Sequence, residues 1–80
     1  MIARPIRTID RLGIAFRIHE LRKDVKETQK QFGIRFNVER QAVWRWENRV
    51  NIPSMQVIRE MAKQLNTSAE WILYGSDNDE

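Results

Sequence analysis

Three residues, Asn37 to Glu39, separate the end of one helical segment from the start of the next, and no other stretch limits the fold of this chain so tightly. Upstream, Thr28 followed three positions later by Gln31 has the form of a capping box, so a helix is expected to begin there. Phe32 and Phe36, four apart, share its inner face. Gly33 costs such a short helix about 1 kcal/mol relative to alanine, and that points to another helix passing very close. Asn37 ends the segment, since asparagine tolerates the left-handed conformation that closes a helix. The next helix then starts at Glu39 or Arg40 and runs to Glu47.

A short helix, a three-residue turn and a second short helix make helix-turn-helix geometry. Val43 and Trp46, three apart, point inward together. Arg40, Gln41, Trp44 and Arg45 are left outside, with Ala42 between the faces. The two tryptophans, two positions apart, face different ways.

The remaining chain also reads as helix. Ile14, Ile18, Leu21 and Val25 form one apolar stripe, with Thr8 as a candidate cap and Gly13 weakening the first turns. Asn48 to Pro53 is a loop. Ser54 caps a fourth helix with Met55, Ile58, Met61, Ala62 and Leu65 inward, and Ser68 caps a last one that Gly75 stops. Nothing reads as a strand. The expected organisation is a flexible basic arm over 1–8, a helical domain over 9–75 and a disordered acidic tail over 76–80.

Eighty residues without cysteine exclude a disulfide framework and a Cys-based zinc site, and His19 alone cannot build a metal cluster or a His-based triad. No nucleophile–base pair or glycine-rich phosphate loop is present, so an enzyme is not expected. No apolar run is long enough to cross a bilayer, and a reduced, cytoplasmic setting is expected. Three of the eleven acids (Asp77, Asp79, Glu80) end the chain, so residues 1–75 carry fourteen basic against eight acidic side chains, a net +6. That balance suits a polyanionic partner, although simple solubility would explain it too.

From Arg17 to Gly75 the chain resembles the phage-repressor (Cro/XRE) type of helix-turn-helix domain. The stretches RIHELR (17–22), TQKQFGIRFNVERQAVWRWEN (28–48) and IPSMQVIREMAKQLNTSAEWILYG (52–75) carry the likeness, in the order and spacing of the family. The resemblance implies an all-α, compact, five-helix lambda-repressor-like fold. It implies a sequence-specific regulator of the Cro-like or compact repressor kind, binding double-stranded DNA as a homodimer. No cofactor, metal, membrane or small-molecule ligand is implied.

Residue by residue, the resemblance assigns base contacts to Glu39, Arg40, Gln41 and Arg45, with Trp44 beside them. Glutamine suits adenine and arginine suits guanine in the major groove. Phosphate contacts fall to Thr28, Gln29, Asn48 and Arg49, and Arg4 and Arg7 in the arm are candidates for the backbone or a minor groove. Arg22 and Glu47 match a buried ion pair. Trp71, Ile72 and Tyr74 are dimer candidates, with core as the alternative. Trp44 has two readings, thymine methyls or sugar edges on one hand, and a cation–π platform against Arg40 or Arg45 on the other.

Five positions depart from the family. Glu39 stands where Ser or Thr is usual, and Lys26 with Glu27 replaces a common Gly-Leu. Asn37 replaces a turn glycine, and Gly33 an alanine. A second functional class stays open: a protein-interaction module, such as an antitoxin or antirepressor partner, that retains the fold. Such a module should be apolar on the outward face of residues 39–45, and this face carries one tryptophan among Arg, Gln and Arg.

Overall fold

The computed structural model describes residues 8–75, and the arm residues Arg4 and Arg7 and the acidic tail lie outside that range. It holds five helices: α1 (Arg11–Asp24), α2 (Gln29–Arg35), α3 (Arg40–Glu47), α4 (Met55–Gln64) and α5 (Ala69–Tyr74). No strand occurs among the described residues. The core unites every helix through Ile14, Ile18, Leu21, Phe32, Phe36, Val43, Trp46, Ile58, Met61, Ile72 and Leu73. Burying these side chains is the main driving force available to a chain without a disulfide.

Helix starts follow local chemistry. Thr28 Oγ1 accepts from the Gln31 amide at 3.1 Å and Gln31 Oε1 accepts from the Thr28 amide at 2.9 Å, the reciprocal box read from the sequence. Ser54 and Ser68 cap α4 and α5 at 3.2 and 3.0 Å. The start of α1 differs from expectation. Asp10, not Thr8, is its N-cap, with Oδ1 accepting from the Gly13 amide at 3.1 Å. Asp10 also accepts from Arg17 at 3.3 Å, and its own amide donates to the Leu73 carbonyl at 3.0 Å. One residue therefore ties α1 to the end of α5. Asp10→Ala is expected to lower stability by about 1 kcal/mol, and Thr8→Ala by less than about 0.5 kcal/mol, in thermal melts followed by circular dichroism.

Four helices end alike. After α1, α2, α3 and α4 the chain turns through a left-handed residue: Lys26 (φ 59°), Asn37 (φ 59°), Arg49 (φ 63°) and Asn66 (φ 57°). In each, the next amide donates back to the carbonyl five residues earlier: Glu27 to Arg22, Val38 to Gly33, Val50 to Arg45 and Thr67 to Ala62. This is the Schellman closure, which satisfies carbonyls the helix leaves open. Gly75 at φ 81° ends α5.

Two inward assignments change. Met55 is exposed, and Val57 packs on the core in its place, because α4 presents its 57–58–61–65 side to the other helices. Arg17, one position before Ile18 on the buried stripe of α1, is 8% exposed. Its Nε donates to the Ile72 carbonyl at 2.8 Å, and its guanidinium lies 6.0 Å from the Trp71 ring centroid. Gly13 leaves room for this group, since a Cβ there would collide with Asp10 and Arg17. The signal was present in the sequence: Arg17 follows Ile14 by three and precedes Leu21 by four.

The candidate nucleic-acid interface

The outward face of α3 is built from behind. Phe32 and Phe36 meet edge to face, ring centroids 5.0 Å apart, and form the floor on which α3 rests. Val43 and Trp46 are buried on that floor. Gly33 sets the approach: a Cβ would stand 2.7 Å from the Val38 carbonyl oxygen and 3.3 Å from the Glu39 carbonyl carbon. The close neighbour at this glycine is the turn and N-cap backbone leading into α3, where the sequence pointed to the body of another helix.

With that seam fixed, Arg40, Gln41, Trp44 and Arg45 are all exposed. Trp44 is 44% exposed, and with Arg40 and Gln41 it lines a shallow depression of about 180 Å³. It makes no cation–π contact with Arg40 or Arg45 among the described residues, so the platform reading does not hold in this structure. Glu39 is the N-cap of α3 in extended conformation, and its side chain makes no capping hydrogen bond. Its exposed carboxylate is free to meet whatever faces the start of the helix.

The far end of α3 is held by Glu47. Its Oε2 accepts from Arg22 Nε at 2.6 Å, and its Oε1 accepts from Arg22 Nη2 at 2.9 Å, a two-pronged contact joining α1 to α3. Both side chains are shielded, 15% exposed for Arg22 and 6% for Glu47. Gln29 Nε2 donates to the same Oε1 at 3.1 Å, and His19 Nδ1 lies at 3.1 Å from it. Burial pushes the Glu47 carboxyl up, but hydrogen bonds from Arg22, Gln29 and His19 and the Arg22 charge outweigh it, so its pKa is lowered.

Glu47 thereby brings the start of α2 beside the end of α3. Thr28 and Gln29 stand on one side, Asn48 and Arg49 on the other. The Gln29 amide nitrogen is engaged with Glu47, which orients the side chain. Asn48 Nδ2 donates to the Trp44 carbonyl at 2.9 Å, leaving its amide oxygen uncommitted, and Arg49 is exposed. The Gln29 link to Glu47 was not foreseen, because eighteen residues separate them.

The dimer candidates divide. Ile72 is fully buried in the core of its own chain, so its side chain cannot serve a partner; Trp71 and Tyr74 are half-buried. The sequence reading also missed a second apolar stripe on α1. Leu12 and Phe16 are 66% and 64% exposed, opposite the buried stripe. They border a groove of about 400 Å³ with Ala15, His19, Glu47, Asn48 and Arg49. No group of acids, histidines or cysteines suited to a metal occurs among the described residues, and no described helix is long and apolar enough to cross a membrane.

A five-helix domain that presents a polar, cationic helix on a helix-turn-helix scaffold defines the class of DNA-binding regulators. The chain belongs to the helix-turn-helix family of Cro/C1 type, whose pattern it matches over residues 18–72. Among solved structures it is similar to the P22 c2 repressor in complex with a synthetic operator, with 27% identity and a TM-score of 0.73. That match covers 79% of this chain and 96% of the repressor chain. It shares its fold with a hypothetical transcription factor, NHTF, from Neisseria, at 19% identity and a TM-score of 0.69, covering 91% of this chain and 88% of that one. No curated protein matches the chain.

Proposed function

We propose that the protein is a sequence-specific transcriptional regulator that binds a two-fold operator in double-stranded DNA as a homodimer, with α3 in the major groove. One observation carries this reading: Val43 and Trp46 are buried while Arg40, Gln41, Trp44 and Arg45 share the opposite, exposed face of one rigid helix. Side chains on a helix pinned from behind meet base edges in a fixed register. The similar P22 c2 repressor was crystallised on an operator, which supports the same mode here.

In this reading Gln41 and Arg45 read bases, Arg40 and Glu39 act at the start of the helix, and the Trp44 ring packs on thymine methyls or sugar edges. Thr28, Gln29, Asn48 and Arg49 hold phosphates on either side. One recognition helix spans only a few base pairs, so pairing of two copies supplies the rest of the specificity. Trp71 and Tyr74 remain the candidates for that contact. The interaction-module alternative is less well supported, because Trp44 is the only large apolar side chain on the outward face of α3.

Selection from a random pool of duplex DNA tests the proposal. A palindromic consensus is expected, with Gln41→Ala and Arg45→Ala each losing roughly 1–3 kcal/mol of discrimination at particular base pairs. Enrichment of no sequence, with binding that simply vanishes as salt rises, would reduce the activity to non-specific attraction.

A further inference from the structure

The four Schellman closures are alike in geometry but not in the residue that occupies the left-handed position. After α2 and α4 it is asparagine, the non-glycine residue best suited to that conformation. After α1 and α3 it is Lys26 and Arg49, long side chains with no local hydrogen bond to offset the strain. These two closures are also the ones that meet at Glu47. The first leads through Glu27 and Thr28 to Gln29, whose amide reaches Glu47, and the second follows Glu47 directly. Both side chains are exposed.

Resting on the proposed DNA-binding reading, we propose that Lys26 is a phosphate-contacting residue paired with Arg49, the two cations clamping the DNA backbone from either side of the Glu47 hub. Each is an exposed, left-handed corner between two helices. A cation at each corner can neutralise a phosphate without entering the groove, so the pair adds affinity that is independent of base sequence. Neither helix needs these residues for closure, because Asn37 and Asn66 close α2 and α4 with the same hydrogen bonds. A rival account makes the two cations favourable end charges for the dipoles of α1 and α3. The two accounts predict opposite changes in stability.

The test compares Lys26→Asn and Arg49→Asn with the wild-type protein, in melting temperature and in affinity for a duplex oligonucleotide from 50 to 200 mM salt. Asn66→Lys is the control, a cation placed in the same conformation after α4. Each asparagine variant is expected to melt a few degrees higher, on the order of 2–4 °C, and to lower the slope of log affinity against log salt by about one. The affinity lost across that salt range should shrink roughly 3.5-fold per variant. Asn66→Lys should melt lower and leave the slope unchanged. An unchanged slope at position 26, in a protein whose wild type binds DNA, overturns the clamp and leaves the DNA-binding reading intact. Lower melting temperatures with unchanged slopes identify helix-end charges instead. A wild type that binds no duplex at any salt removes the DNA-binding reading and the clamp together.

Discussion

Glu47→Ala is expected to remove a large fraction of the folding stability of this domain. The substitution leaves the Arg22 guanidinium, 15% exposed, without its carboxylate, and takes the acceptor from Gln29 and the partner from His19. Stranding one member of a shielded ion pair costs about 3–5 kcal/mol, against roughly 4–12 kcal/mol for the whole of a domain this size. The melting temperature should fall by roughly 15–30 °C, and part of the population should be unfolded at 37 °C. A loss below about 1 kcal/mol would mean the contact behaves as a surface pair. Replacing both partners, as in Arg22→Met with Glu47→Leu, should recover much of the loss, because no buried charge is then left alone.

The same carboxylate sets a direction with pH. Its folded pKa is lowered from the ordinary 4.5. The stability it contributes is therefore fully present above about pH 4.5 and is lost as pH falls through the lowered folded value. Acid titration of the wild type against Glu47→Gln should show two stability curves that converge below pH 4.5. Curves that stay parallel through this window would remove Glu47 from the acid response.

Gly33→Val is expected to be the second most damaging change, at about 2–3 kcal/mol. The obstacle is backbone: the Val38 carbonyl oxygen, 2.7 Å from where a Cβ would stand, belongs to the turn that places α3. Neither a rotamer change nor a flexible side chain can relieve the contact, so α3 has to move away from α2. Alanine has the higher helix propensity by about 1 kcal/mol, yet Gly33→Ala should still lower the melting temperature, because the same Cβ meets the same carbonyl. A higher melting temperature for Gly33→Ala would show that the turn yields freely. The functional consequence is separate from stability. Duplex-DNA affinity should fall in the alanine variant at temperatures where it is fully folded, because Arg40, Gln41 and Arg45 would shift with the helix that carries them.

Gly33 and Asn37 act together at the same helix end. Asn37 holds the left-handed angle at φ 59°, the Schellman bond from Val38 to Gly33 closes at 2.8 Å, and the Val38 carbonyl then occupies the space an alanine methyl would fill.

The helix-turn-helix unit was legible from residues alone because its signals are local. Thr28 and Gln31 satisfy each other's amides across three residues, Phe32 and Phe36 meet across four, and Val43 and Trp46 share a face across three. The outward set Arg40, Gln41, Trp44 and Arg45 followed by subtraction, since a helix with two buried anchors leaves its opposite side to solvent. The Arg22–Glu47 pair was legible only through the family resemblance, as nothing in the spacing of two charges 25 residues apart demands that they meet.

Other features waited for the tertiary structure, and the reason is distance along the chain. Arg17 closes onto the Ile72 carbonyl 55 residues away, so its burial depends on where α5 ends. Thr8 and Asp10 are both able to cap a helix, and the Leu73 carbonyl, which receives the Asp10 amide, favours the second. Ile72 and Leu12 are apolar residues of similar size. Packing put one at full burial and left the other 66% exposed, because α5 lies between α1 and α4 whereas the outer side of α1 faces no other helix. Local hydrogen bonding and periodicity determined which segments are helices and which side of α3 looks outward. Only the assembled core decided which charges are shielded, which apolar face stays open and how Glu47 gathers the residues on either side of α3.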